Sequence, residues 1–212
     1  MAAQQRNALT PPIILTIYCV IVAIISLIGA ADFWVWVFEI YTGVLALIIL
    51  NLTYKRFPFS NLVYWLVGVH FTVLAVGAHY TYAEMPLFNW LRDTFDLSRN
   101  HYDRVGHFMQ GFVPVIVARE ILLRTTKIVR SKMLAFISVS ICLAISAFWE
   151  ILEMTVVLLF YKEAGMAWLG TQGDTFDPVW DMTMALIGAI LAYILLRKLH
   201  DTSMARLSKK TI

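Results

Sequence analysis

The chain has 212 residues, of which 60% are hydrophobic and only 15% charged, with a formal net charge of +3. A soluble domain is about half apolar and roughly a quarter charged, so this balance excludes an ordinary water-soluble fold. The apolar residues come in blocks long enough to cross a bilayer, which takes about 20 residues in a helix, and the length leaves room for six such blocks and short loops. Cys19 and Cys142 each sit inside an apolar block without C-x-x-C spacing, so they read as buried hydrophobes rather than a disulfide framework or zinc finger. No cleavable signal is evident. Arg6 is the only charge before the first apolar run, and that span is expected to act as its own signal.

The first apolar run covers residues 13–30 and the second 33–52, close enough together to form an antiparallel pair. The third, 62–80, opens after Pro58 and Ser60-Asn61. A polar stretch from Glu84 to Arg104 follows. The fourth run is 105–123, the fifth 133–157 with a possible extension to Tyr161, and the sixth 179–196. Barrel strands would alternate in polarity over about ten residues. These unbroken blocks instead predict an all-α, polytopic membrane helix bundle of six transmembrane helices, with residues 1–212 as one integral membrane domain.

Charge sets the expected orientation. With six spans, 13 of the 17 Lys and Arg fall on the side that holds both termini, and the other side keeps only Arg92, Arg99, Arg104 and Lys162. The positive-inside rule makes the first side cytoplasmic. Of the 14 acids, only Glu120 and Asp201 lie there. The basic side is what topology demands and can also meet anionic headgroups; it does not point to nucleic acid. The acidic outer side is not demanded by topology, so it carries more information.

Ionisable groups inside spans are costly and are either functional or internally paired. In the fourth run Asp103, His107 and Gln110 fall at helical spacing on one stripe. Glu150 and Glu153 share a face of the fifth, and Asp177 and Asp181 are one turn apart in the sixth. His79 ends the third run, and Glu39 lies about 10 Å inside the second at 1.5 Å per residue. Five spans thus direct acids or histidines to one level, which predicts a shared outer pocket. Trp34, Trp36, Trp90, Trp168 and Trp180 form an aromatic belt at the same level.

Several of these residues also admit plainer roles. Asp177 precedes Pro178 and reads as a helix N-cap, following the turn Gly170-Thr-Gln-Gly-Asp174. Asp174 is a turn former or a ligand; Asp181 complements a helix dipole or lines the pocket. Asp103 and His107 can simply bond each other. Glu120 and Arg124 read as an exposed structural pair, and His70 as a hydrogen-bonded core histidine. Gly188 and Ala192 make a small-x-x-x-small step for close helix packing. Glu150 with Glu153 resists a plain reading, because two carboxylates on one face repel unless a proton, cation or base lies between them.

The segments His101-Tyr-Asp-Arg-Val-Gly-His107, Glu150-Ile-Leu-Glu153 and Gly170-Thr-Gln-Gly-Asp174, with Asp177 and Asp181, resemble the YjdF family of bacterial inner membrane proteins over nearly the whole chain. The resemblance implies a multi-pass protein of the bacterial inner membrane and implies no reaction. A looser similarity is to VanZ-like membrane proteins, carried by His107, Glu150, Asp181 and Gly188. The sequence departs from that pattern at Ala185, where an Asn is usual, and lacks an Arg often found just before Asp181.

Three functions stay open. In the first, His79, Asp103, His107, Glu150, Glu153, Asp174 and Asp181 hold one or two divalent metals such as zinc, manganese or iron. Glu150, Asp181 and His107 then serve a hydrolase or transferase acting on a lipid-linked or small-molecule substrate. In the second, the carboxylates couple protons or cations to transport. In the third, the cluster only braces the outer loops. No H-E-x-x-H, P-loop, Rossmann or G-x-S-x-G motif is present, and the oligomeric state is left open.

Overall fold

The computed structural model describes residues 9–160 and 172–208. Arg6, Lys162, Trp168, Lys209, Lys210 and the Gly170-Thr171 part of the expected turn lie outside the described residues. Every regular element among the described residues is a helix. These are α1 (Pro11–Leu27), α2 (Phe33–Thr53), α3 (Asn61–His79), α4 (Pro86–Phe95), α5 (Tyr102–Phe112), α6 (Pro114–Thr125), α7 (Lys132–Phe160) and α8 (Asp177–Ser208).

Five stretches are long and apolar enough to cross a membrane: α2, α3, α5 with α6, α7 and α8. The first apolar run is shorter than expected. It ends at Leu27, and Gly29 takes a φ of +73° that turns the chain back. Asp32 then caps α2, accepting the backbone N–H of Trp34 at 2.8 Å and of Val35 at 2.9 Å.

Two boundaries differ from the hydropathy reading for clear reasons. The fourth run is not one straight helix. Pro114 has no N–H to give the carbonyl of Gln110, so the segment divides into α5 and α6, while Val113 N–H still reaches Met109 O at 3.1 Å. The sixth run stops in hydropathy near residue 196, but α8 continues to Ser208 for 32 residues. That is about 48 Å at 1.5 Å per residue, so its polar last turns overrun the apolar slab. The polar stretch after α3 also hides a helix, the ten-residue α4.

The contact that positions the candidate site is between α5 and α8. A Cβ on Gly111 would stand 1.8 Å from the Ala185 carbonyl oxygen, and one on Gly188 would stand 2.1 Å from that of Phe108. The two backbones therefore touch, over the fully buried Ala185, Ala189 and Ala192. Gly188 and Ala192 do serve close packing; Gly111 completes the contact from the opposite helix. Arg104 meets Asp177 and Asp181, Gly111 meets Ala185 and, beyond α5, Arg119 meets Asp201, so the two helices run parallel. Cys19 and Cys142 are free and buried in the apolar core.

Candidate functional site

The parallel contact sets Asp103, Arg104 and His107 of α5 against Asp177 and Asp181 of α8, one turn apart on each helix. Arg104 pairs with Asp181, with Asp177 at 2.6 Å and with Asp174 at 3.4 Å. Arg99 pairs with Asp177, with Asp174 at 3.8 Å and with Asp103 at 3.8 Å. Asp177 is therefore not chiefly a cap. It is the first residue of α8, is 2% exposed, and lies between two guanidiniums. Asp174 does form the turn, accepting Phe176 N–H at 2.9 Å, and also borders both arginines.

His107 is held from both sides. Its Nδ1 lies 3.2 Å from Gln110 Oε1 and 3.5 Å from Glu150 Oε1 on α7. Its Nε2 lies 3.6 Å from Asp103 Oδ1 and 3.8 Å from Asp181 Oδ1. With the proton on Nδ1 the ring donates to Gln110 and turns the Nε2 lone pair toward two carboxylates. Three electron-rich groups then converge, with Arg104 already on the same Asp181 oxygen and Arg99 3.8 Å from the other Asp103 oxygen; a proton or a further cation between them would ease the remaining repulsion. One ligand atom from each of Asp103, His107 and Asp181 lies within 4.8 Å of the others. Glu150 Oε1 is buried and has no hydrogen-bond partner, on a side chain only 9% exposed.

The other expected residues are placed differently. His79 Nδ1 lies 2.8 Å from the Ser26 carbonyl oxygen, tying α3 to α1 rather than joining the trio. Glu153 accepts the indole N–H of Trp149 at 2.9 Å. Glu39 accepts the Tyr82 hydroxyl at 3.1 Å; burial, then the nearby Glu39 charge, pushes that phenol well above its usual range and keeps it a donor. His70 is half-buried in mid-α3 and enters none of these ion pairs. Trp34, Trp90 and Trp180 are exposed, while Trp36 donates to Ser26 Oγ at 3.0 Å.

Sequence reasoning missed the arginines as counter-ions, and it missed a second cluster at the opposite, basic end. Glu120 is not half of an exposed pair: it is 0% exposed. Its Oε1 accepts Ser60 N–H and Arg124 Nη1, each at 2.8 Å, and its Oε2 lies 2.9 Å from His200 Nε2. His200 Nδ1 lies 2.8 Å from Arg119 Nη1, and Asp201 takes Arg119 at 2.8 Å and Arg130 at 3.1 Å. The only sequence signal was the four-residue spacing of Glu120 and Arg124, because His200 lies 80 residues away.

Comparison with known proteins agrees with the first of the two resemblances. The family model described as "Predicted membrane protein (DUF2238)" matches residues 11–202. Inner membrane protein YjdF of Escherichia coli (strain K12) is 40% identical over 179 residues, which span 84% of this chain and 85% of that one. No solved structure matches. Neither match lends support to the looser VanZ-like similarity.

Proposed function

The chain belongs to the DUF2238 family of membrane proteins and is a multi-pass inner membrane protein; from that premise we propose that its acidic end is a divalent-metal centre of a hydrolase or transferase working on a lipid-linked substrate. The carrying observation is the convergence of Asp103, His107 and Asp181, with ligand atoms within 4.8 Å of one another. Imidazole and carboxylate donors suit zinc, manganese or iron. Gln110 holds the ring from its far nitrogen, as outer partners of metal-bound histidines do, and the Glu150 carboxylate lies 3.5 Å from that nitrogen. Glu150 is thus a positioning residue for His107, while Glu153, His79 and Asp174 fall outside the ligand set. A divalent ion there would polarise a phosphoryl or acyl oxygen.

We further propose six spans with both termini cytoplasmic. With 17 residues, α1 is at the short limit for a spanning helix, since about 17–25 are needed. The parallel run of α5 and α8 fits an intervening antiparallel α7, and the Arg119–Arg124–Arg130 end fits the cytoplasmic face. The metal centre then faces outward.

The runner-up, a proton- or cation-coupled transporter, draws support from ionisable groups at both ends of one helix pair. Against it stand the direct backbone contacts at Gly111 and Gly188 midway, which leave no room for a polar path between α5 and α8.

The test is turnover in nanodiscs with a panel of lipid-linked phosphates and acyl lipids, with added Zn²⁺, Mn²⁺ or Fe²⁺ and with chelator. Metal-dependent release of phosphate or free acid, abolished in Asp181→Asn, is expected. Absence of turnover across the panel in folded, metal-loaded protein would overturn the enzymatic reading.

A further inference from the structure

The helix α4, Pro86–Phe95, turns Phe88 and Asn89 toward the chain. Asn89 Oδ1 accepts from Asn100 Nδ2 at 2.8 Å, Asn89 Nδ2 donates to Glu84 at 3.2 Å, and the Phe88 ring sits edge-on to Tyr102 at 5.4 Å. Three of its large apolar side chains face away. Leu87 is 54% exposed, Trp90 58% and Phe95 63%, and at 100° per residue these three fall within one arc. Leu97, just past the helix, is exposed as well.

Such a face needs a cover, and its position says which. The helix is pinned at the outer ends of two spans. Asn100, fully buried just before α5, donates to Met85 O at 3.0 Å as well as to Asn89. The Tyr82 N–H bonds Gly77 O at 2.8 Å near the end of α3. Phe33 and Trp34 at the start of α2, and Phe176 and Trp180 around the start of α8, are exposed at the corresponding ends of their spans. The apolar face of α4 thus continues the aromatic rim of the lipid-facing bundle.

We infer that α4 is an in-plane interfacial helix, with Leu87, Trp90 and Phe95 inserted at the headgroup–acyl boundary of the leaflet at the acidic end. An amphipathic helix with aromatic and leucine residues on one side lies in that boundary with its apolar face buried about 5–10 Å deep. The consequence reaches the candidate site. Asn100 adjoins Arg99, whose guanidinium pairs with Asp177, and Asn100 exchanges hydrogen bonds with Gln172 at 2.9 and 3.0 Å. Lipid contact at α4 therefore fixes the level of the acid cluster at the membrane surface. The inference does not depend on a metal, so either can fail without the other.

The test uses the full chain in phospholipid nanodiscs, with Cys19→Ala and Cys142→Ala, and single nitroxide labels at Leu87→Cys, Trp90→Cys, Phe95→Cys and Asp93→Cys. The expected result is a several-fold higher ratio of oxygen to nickel-chelate accessibility at 87, 90 and 95 than at 93, where the side chain is 67% exposed on the other side. Should Trp90→Cys fail to fold, positions 87 and 95 read the same face. A water-like ratio at all four positions would overturn the inference. So would labels shielded from both reagents with dipolar broadening, which would put a second copy of the chain on this face.

Discussion

At the basic end of the bundle, Glu120 and Asp201 face three guanidiniums, from Arg119, Arg124 and Arg130, and both Glu120 oxygens are engaged. At the acidic end, among the described residues, Asp103, Glu150, Asp174, Asp177 and Asp181 face Arg99, Arg104 and His107. The acidic end holds a buried carboxylate oxygen, Glu150 Oε1, that accepts no hydrogen bond, whereas both oxygens of Glu120 do. Both clusters join α8 to the segment that α5 and α6 share, so the contrast lies in charge balance. The base-rich cluster clamps helices together; on the proposed function, the acid-rich one holds a cation.

The largest expected effect tests the clamp. Breaking a buried ion pair by removing one partner costs about 3–5 kcal/mol, so Glu120→Ala should lower the unfolding free energy by that amount. Glu150→Gln removes a charge that has no hydrogen-bond partner on one oxygen, and should leave stability unchanged or raised. Equal losses in a denaturant titration would erase the distinction between the two ends. Next comes the contact that holds both together. Gly111→Ala forces α5 off α8, and overpacking of this kind costs about 1–3 kcal/mol. It should also weaken metal binding, since His107 and Asp181 separate; full stability with full metal affinity would refute that coupling.

A smaller effect sharpens the role of Glu150. If it orients His107 rather than binding metal itself, Glu150→Gln should weaken metal affinity by about 10–100-fold without abolishing it, whereas Glu153→Gln and His79→Gln should have no effect. Isothermal titration separates these outcomes. The smallest effect concerns His101, just outside α5. Burial, and then Arg99 and Arg104, hold its pKa below the usual 6.5. The unfolded chain therefore takes up a proton that the folded chain refuses as pH falls through 6.5. Stability is full above that value and declines below it. His101→Gln should reduce the drop in Tm on acidification; an unchanged drop would contradict this.

The apolar helices were legible because hydropathy responds to composition alone: α2 and α3 begin and end within one residue of the expected 33–52 and 62–80. The acid and histidine stripe on α5 was legible too, from helical spacing. What the sequence could not show was pairing at long range. Arg104 meets Asp181 from 77 residues away and His200 meets Glu120 from 80, so the arginines entered only as outer-side charges and Glu120 as half of a local pair. The end of α8 was missed because its last turns are polar yet still helical, and α4 because a ten-residue amphipathic helix leaves no apolar block. Asp177 looked like a cap because a residue before proline at a helix start fits that role whether or not two arginines approach it.

The most direct test is the metal content of purified, folded protein by elemental mass spectrometry, alongside Asp103→Asn and His107→Ala. About one divalent ion per chain is expected from the three-ligand group found among the described residues, lost in both variants and retained in Glu153→Gln. A metal-free protein that also fails to take up zinc, manganese or iron when these are supplied would contradict the account and leave the acidic end as a proton-bearing or purely structural cluster.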